Sequence, residues 1–202
     1  EKPMPYSKFT LEELKKEFNL TLSETLGKFN NLPEVAPSQM LQDFLKCYLP
    51  LGLAIGSEKA KSEFIIAPIL AEIKQKNANK VSLFSGLEFN VDVERGLNGF
   101  CDFIMSLSPQ QLLIEAPVVT LVEAKNDNLK SGLAQCIAEM VGAQIFNRRE
   151  GNEITKIYGS VTNGTNWQFL ELESQTVVID LDEYSIKNLP QILGILSSFF
   201  AP

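Results

Sequence analysis

The sequence predicts an α/β sandwich in which helices cover both faces of a mixed central sheet. Val118 to Ala124 (VVTLVEA) is apolar on both faces, as expected for a central strand covered on each side. Asn163-Gly164 stands between two strand patterns and has the composition of a tight hairpin turn. From Ser57 onward the patterns follow the order helix, three strands, helix, hairpin, helix, which is typical of a layered α/β fold.

The first 56 residues predict a helical N-terminal extension. Thr10 to Glu13 has the spacing of a capping box and is followed by apolar residues at helical intervals. A second, weaker helix is predicted from Ser23 to Phe29, and the two prolines between Asn30 and Pro37 indicate a loop. Ser38 then caps a helix, which Pro50 to Gly56 should break.

A predicted core domain covers residues 57–202 and begins with a helix from Ser57 to Lys76. Its isoleucines cluster on one face at a period of 3.6, and Pro68 should kink the helix because it removes one backbone hydrogen bond. Glu58 falls on the apolar side of this helix, where an unpaired carboxylate would be costly, whereas Glu63 falls nearer the flank.

The remaining elements follow from the change of pattern after Asn77. One or two short strands are predicted over Val81 to Phe84 and Leu87 to Val91. Further strands are predicted at Phe100 to Leu107, Val118 to Ala124, Lys156 to Thr162 and Trp167 to Leu172. Helical patterns run from Leu133 to Ile145 and from Leu189 to the C-terminal end.

Composition limits the chemistry that the chain can perform. With no histidine among its 202 residues, it cannot contain a serine–histidine triad, a histidine general base or a zinc finger. A metal would have to bind oxygen ligands, which favours Mg²⁺ or Mn²⁺. The net charge of −7 disfavours nucleic acid as a partner, because phosphate affinity comes from Lys and Arg, but a local basic groove stays open.

The same composition predicts a cytoplasmic protein without a membrane anchor. No apolar run is long enough to span a bilayer, and the first residues lack the pattern of a signal peptide. The three cysteines, Cys47, Cys101 and Cys136, are widely spaced and odd in number, which fits reduced thiols better than a disulfide framework.

Two acidic residues and a lysine form the candidate site. Glu123 and Lys125 are two residues apart, so they project from the same face at the C-terminal end of their strand. Asp102 lies inside another apolar strand, where a charged side chain is unusual unless it is paired or has a functional role. Two carboxylates can hold a metal that activates water, and a lysine can orient or deprotonate that water or stabilise negative charge.

These residues resemble the PD-(D/E)XK nuclease superfamily. The likeness rests on NGFCDF, with Asp102, followed by VEAKND, with Glu123 and Lys125. It implies a restriction-endonuclease-like fold in which Asp102 and Glu123 bind metal and Lys125 is catalytic. The superfamily often has a proline before the aspartate, and Cys101 stands there instead. The string from NGFCDF to AQIFN also resembles a cyanobacterial group within this superfamily.

Further residues extend the likeness over roughly residues 57–172. The helix from Ser57 and the hairpin SVTNGTNWQFLEL are similar to elements of type I restriction subunits, which implies Glu58 as a further metal ligand. Gln135 stands ten residues after Lys125, where some branches carry a site glutamine. The resemblance implies Mg²⁺ or Mn²⁺ as cofactor, nucleic acid, with DNA favoured, as partner, and a homodimer as one arrangement.

Alternatives remain at the level of function and of single residues. The chain could instead be a catalytically inactive descendant that binds nucleic acid or a protein partner, which its acidic balance favours. A metal-dependent phosphatase acting on small molecules is a more distant alternative. Glu58 could be an ordinary first-turn glutamate, stabilised by the helix dipole. Glu123 and Lys125 could be a solvated ion pair.

Overall fold

An eight-stranded mixed sheet forms the centre of the computed structural model, which describes residues 5–201. Seven strands lie in the order β1-β7-β6-β5-β4-β3-β2, and β8 pairs with β6. The β1–β7 and β4–β5 pairs are parallel, and the other neighbours are antiparallel. The strands are β1 (Thr21–Thr25), β2 (Ser82–Glu88), β3 (Phe100–Ser106), β4 (Val118–Ala124), β5 (Lys156–Thr162), β6 (Asn166–Glu173), β7 (Thr176–Asp180) and β8 (Tyr184–Ser185).

Helices cover both faces of this sheet, which confirms the predicted α/β class. Helices α1 and α5 pack with one hydrophobic core, and α2, α4 and α6 pack with the other. Every residue of β4 is buried, as its apolar pattern predicts. The helices are α1 (Leu11–Glu17), α2 (Gln39–Ile55), α3 (Glu58–Lys61), α4 (Ala67–Lys76), α5 (Leu133–Arg149) and α6 (Leu189–Ser198).

The helix predicted from Ser57 to Lys76 forms, with an irregular middle. The Ser57 side chain caps it, as predicted, by accepting the backbone N–H of Ala60. Between α3 and α4, Ser62–Ile66 forms a π-helical turn. This turn ends two residues before Pro68, whose ring would clash in a regular helix with the carbonyl four residues earlier, which belongs to the turn. The wider turn relieves that clash and keeps the helix continuous.

Two local predictions in the N-terminal segment are wrong. Ser23 to Phe29 is not a helix, because Thr21–Thr25 forms β1 along the edge of β7. Pairing with an existing strand outweighs a weak helical pattern. The helix from Ser38 is not broken at Pro50 but runs to Ile55 and ends at Gly56 in a left-handed conformation. Burial of Leu45 and Gly52 on either side of Pro50 holds this helix together.

The N-terminal segment contributes to the sheet and to both cores. The predicted capping box of Thr10 and Glu13 is present at α1. Leu14 of α1 is fully buried in one core, and Leu41 of α2 is buried in the other. The division at residue 56 stays a prediction, but β1 crosses it by pairing with β7.

Two strands near the C-terminal end, β7 and β8, were not predicted. Of the one or two short strands predicted between Val81 and Val91, the structure forms one, β2. Among residues 5–201, no helix is long and apolar enough to cross a membrane.

Candidate functional site

The pairing of β3 with β4 brings Asp102 and Glu123 together. The last pair in that ladder is Phe103 opposite Val122, so Asp102 and Glu123 form the next pair along and lie on the same face. Beyond that pair, the Asp102 carboxylate accepts the backbone N–H of Ala124 at 2.8 Å. The Asp102 side chain therefore accepts a backbone N–H of β4 at the point where the regular pairing of β3 with β4 ends.

Both oxygens of the Glu123 carboxylate have partners. The Lys125 ammonium donates to Oε1 at 2.5 Å, and the Gln135 amide donates to Oε2 at 2.9 Å. Glu123 is 1% exposed, whereas Lys125 is half-buried and reaches the surface. The structure therefore brings Asp102, Glu123, Lys125 and Gln135 into one cluster, where β3, β4 and α5 meet.

A glycine allows α5 to begin close to the lysine. A Cβ on Gly132 would lie 2.7 Å from Val161 Cγ1 and 3.1 Å from two carbons of the Lys125 side chain. Contacts this short would force the neighbouring atoms to move. The absent side chain leaves the space in which Lys125 passes between the start of α5 and β5.

Glu139 is a member of this cluster that the sequence alone did not identify as a site residue. It lies one turn after Gln135 on α5, is fully buried, and its Oε1 accepts the second N–H of the Gln135 amide at 3.1 Å. Its other oxygen has no hydrogen-bond partner among residues 5–201. Its spacing from Gln135 placed both on one helix face, but only packing shows that this face is buried behind the carboxylates.

Burial and neighbouring negative charges raise the pKa of the two buried glutamates, Glu123 and Glu139. Burial, and next the neighbouring charge of Asp102, raise the pKa of Glu123, although Lys125 opposes this. Burial and the charge of Glu123 raise the pKa of Glu139 well above its usual range. Burial alone would lower the pKa of Lys125, but hydrogen bonding and attraction to Glu123 outweigh it and raise that pKa.

Of the two glutamates considered on the preceding helix, Glu58 is the one whose charge reaches the cluster. Its negative charge contributes to the raised pKa of both Glu123 and Lys125, although the side chain is exposed at the first position of α3. Glu63 instead pairs with Lys59 at 2.9 Å, with 54% of its side chain exposed. Glu58 therefore lies at the rim and not in the buried part of the cluster.

The loop after Lys125 is held from two sides. Lys61, on α3, donates to the backbone oxygen of Asn126 at 2.6 Å and to its side-chain oxygen at 3.1 Å. Asn163, in the β5–β6 hairpin, donates to the backbone oxygen of Asp127 at 3.2 Å. These contacts join the helix start, the strand end and the hairpin around the candidate site.

The donor chemistry of Asp102 and Glu123 fits Mg²⁺ or Mn²⁺. Mg²⁺ usually binds through one or two carboxylates and keeps several waters, and a cation here would offset the repulsion between the two carboxylates. Within residues 5–201, no three or more Asp, Glu or Cys side chains are arranged as a complete metal site. A cation would therefore compete with the Lys125 ammonium for Glu123, with water completing its coordination.

Two of the three cysteines lie beside this cluster. Cys101 and Cys136 are fully buried, as predicted, and burial raises the pKa of both thiols. Surface grooves of about 290 to 420 Å³ lie elsewhere on the described chain, and Asp102, Glu123 and Lys125 line none of these.

Comparison with known proteins found no family model that matches the chain and no curated protein with significant similarity to it.

Proposed function

We propose that this chain is a PD-(D/E)XK-type nuclease that uses Mg²⁺ or Mn²⁺ to hydrolyse phosphodiester bonds in nucleic acid, with DNA as the favoured substrate. The observation that supports it best is the convergence of Asp102, Glu123 and Lys125 at the adjoining ends of β3 and β4. A divalent cation held at this position would supply an activated water and would offset charge on the phosphate.

Each side chain of the cluster has a distinct role in this proposal. Asp102 and Glu123 would hold the cation, and Glu58, whose negative charge acts on Glu123 and Lys125 from the exposed start of α3, would contribute to the same metal site. Lys125 orients or deprotonates the attacking water, or stabilises the negative charge that develops on phosphate. Both N–H groups of the Gln135 amide are committed to glutamates, so its oxygen is left as an acceptor for water.

Cleavage assays with matched lysine variants test the chemistry. With Mg²⁺ or Mn²⁺, the wild type should cut DNA, and Lys125→Ala should lower the rate about 100-fold or more because the lost interaction operates in the transition state. Ca²⁺ should support DNA binding without cleavage. The exposed Lys130 provides a control, since Lys130→Ala removes one positive charge nearby and should leave the rate within a few-fold of wild type.

Calorimetry tests metal binding separately from activity. Lys125→Ala should bind Mn²⁺ as tightly as the wild type, or more tightly, because the ammonium that competes for Glu123 is gone. The double variant Asp102→Ala, Glu123→Ala should show no binding at this site. Equal affinity in the wild type and the double variant would refute the assigned ligands even if DNA were cut.

A second candidate function is a non-catalytic protein that uses the same fold to bind nucleic acid or a protein. The net charge of −7 and the engagement of both Glu123 oxygens by neighbouring side chains favour it. If the wild type binds no divalent metal at millimolar concentration and cuts neither single- nor double-stranded DNA or RNA, this candidate replaces the nuclease.

The thiols support a reducing compartment such as the cytoplasm for this activity. All three cysteines are free, and Cys47 is exposed on α2. An exposed free thiol persists best where glutathione and thioredoxin keep cysteines reduced.

A further inference from the structure

Helix α2 presents an apolar stripe to solvent. The stripe is Met40, Phe44, Cys47, Leu51 and Ala54, whose spacings of four, three, four and three residues match the core positions of a coiled coil. Each side chain is exposed or half-buried, with Met40 63% and Leu51 43% exposed.

Apart from Phe44, which packs against the edge of the second core, the stripe is separate from the face by which α2 joins the fold. That inner face consists of Leu41, Leu45 and Gly52, which are buried. Gly52 brings α2 close to the π-helical turn, where a Cβ would lie 3.3 Å from side-chain atoms of Ile65 and Phe64. The core therefore accounts for one side of α2 only, and an exposed apolar patch of this kind is typical of an interaction surface.

We propose that the stripe is the contact surface for a second copy of this chain, with the two α2 helices packed antiparallel about a twofold axis. Such an interface is self-complementary, so each contact occurs twice. The twofold axis between Leu45 and Lys46 places Met40 opposite Leu51 of the second copy. It also places the large Phe44 ring opposite the small Cys47, so that each layer pairs side chains that fill the space together.

Charge favours a second copy over an acidic or basic partner. In its 17 residues α2 carries one acid, Asp43, and one base, Lys46, so this surface is neutral although the whole chain has a net charge of −7. Two neutral surfaces can approach without the like-charge repulsion that the rest of the molecule would cause. The neutral surface also offers no complementary charge to nucleic acid or to a charged peptide.

The size of the surface is sufficient for a dimer. At 1.5 Å per residue α2 is roughly 25 Å long. It is flanked by an apolar groove of about 350 Å³, lined by Phe44, Ala67 and Pro68 among others, into which side chains of a partner can project. Two helices side by side, about 20 Å across, give a patch of about 500 Å² on each copy, so the two copies together bury about the 1,000 Å² that a specific interface should reach.

Two leucines with the same exposure give a matched test. Leu51 and Leu53 are each 43% exposed, but two residues correspond to about 200° around a helix, so Leu53 is not on the stripe. Sedimentation equilibrium of the wild type at micromolar concentrations should show a dimer. Leu51→Lys should raise the dissociation constant by about 100-fold or more, because it buries an unpaired charge, and Leu53→Lys should leave it nearly unchanged.

Mixing two charged variants tests the antiparallel register. Met40→Glu and Leu51→Lys should each be monomeric alone, and their equimolar mixture should form a heterodimer because the two charges face each other in one layer. A parallel arrangement would not pair these positions, and such a mixture would stay monomeric. A wild type that remains monomeric at the highest soluble concentration overturns the proposal and leaves the stripe to another kind of partner. Circular dichroism confirms that each variant is folded.

Discussion

At the scale of single residues, Glu139 couples the candidate site to the stability of the fold. Its raised pKa means that the folded protein keeps a proton that the unfolded chain loses above the ordinary value of 4.5. The stability that protonated Glu139 contributes is therefore fully present below pH 4.5. It is lost as pH rises through the pKa of Glu139 in the folded protein. One such group lowers the free energy of unfolding by at most about 1.4 kcal/mol per pH unit in that range.

Glu139→Gln should remove this dependence. The glutamine keeps an oxygen that accepts the Gln135 N–H but has no carboxylate to ionise. Urea unfolding at pH 5, 7 and 9 should show that the variant gains stability relative to the wild type as pH rises. A constant difference between the two proteins across this range would show that Glu139 is ionised in the folded protein.

At the scale of elements, Glu72 of α4 holds the first turn of α2. It is buried, accepts the backbone N–H of Ser38 at 2.8 Å and its hydroxyl at 2.7 Å, and pairs with Lys76 at 3.3 Å. Burial alone would raise its pKa, but these partners outweigh burial and lower that pKa. Because its folded pKa is lowered, its contribution is present above the unfolded value of 4.5 and is lost as pH falls through the folded pKa.

Glu72→Ala should therefore lower the free energy of unfolding by about 2 to 3 kcal/mol at pH 7, since hydrogen bonds to a buried charged group are lost. Its effect should shrink as pH falls through the lowered pKa of Glu72 in the folded protein, because the wild-type carboxylate then becomes protonated. Glu63→Ala is the control, because Glu63 is exposed and pairs with Lys59 alone among residues 5–201, so the change in free energy of unfolding should stay within about 0.5 kcal/mol. Equal losses for both variants would contradict the assigned role of Glu72.

At the scale of the whole molecule, the N-terminal segment and the predicted core should be inseparable. Residues 57–202 alone would lose β1 from the sheet edge and the buried side chains Leu14, Phe18, Leu41 and Leu45. Each fully buried apolar side chain contributes about 1.5 to 3 kcal/mol, and a typical domain has only about 5 to 15 kcal/mol in total.

A truncated protein of residues 57–202 should therefore fail to fold cooperatively. Near-ultraviolet circular dichroism and a urea titration should show lost tertiary packing and no sharp transition for the fragment, whereas the full chain should unfold in a single sharp transition. A stable, cooperatively unfolding 57–202 fragment would instead support the predicted domain boundary at residue 56.

Local patterns along the chain were enough to locate the elements that carry the candidate site. The ranges of β4 and β5 match their predictions residue for residue, because strands covered on both sides or ended by a hairpin turn carry their signal in adjacent residues. Charged residues inside or at the ends of apolar strands are unusual, and this feature singles out Asp102, Glu123 and Lys125 in the sequence. Their convergence followed from predicting that two strands belong to one sheet.

Tertiary structure alone decided the features that depend on residues far apart in the chain. Thr21–Thr25 is a strand only because β7 offers a free edge, and a weak local pattern could not indicate that partner. The burial of Glu139 behind Glu123 depends on how closely α5 approaches the sheet, which Gly132 and the packing of both cores determine. The sequence by itself determined which chemistry the chain can offer, and long-range packing determined which of those side chains meet and how strongly burial changes their pKa.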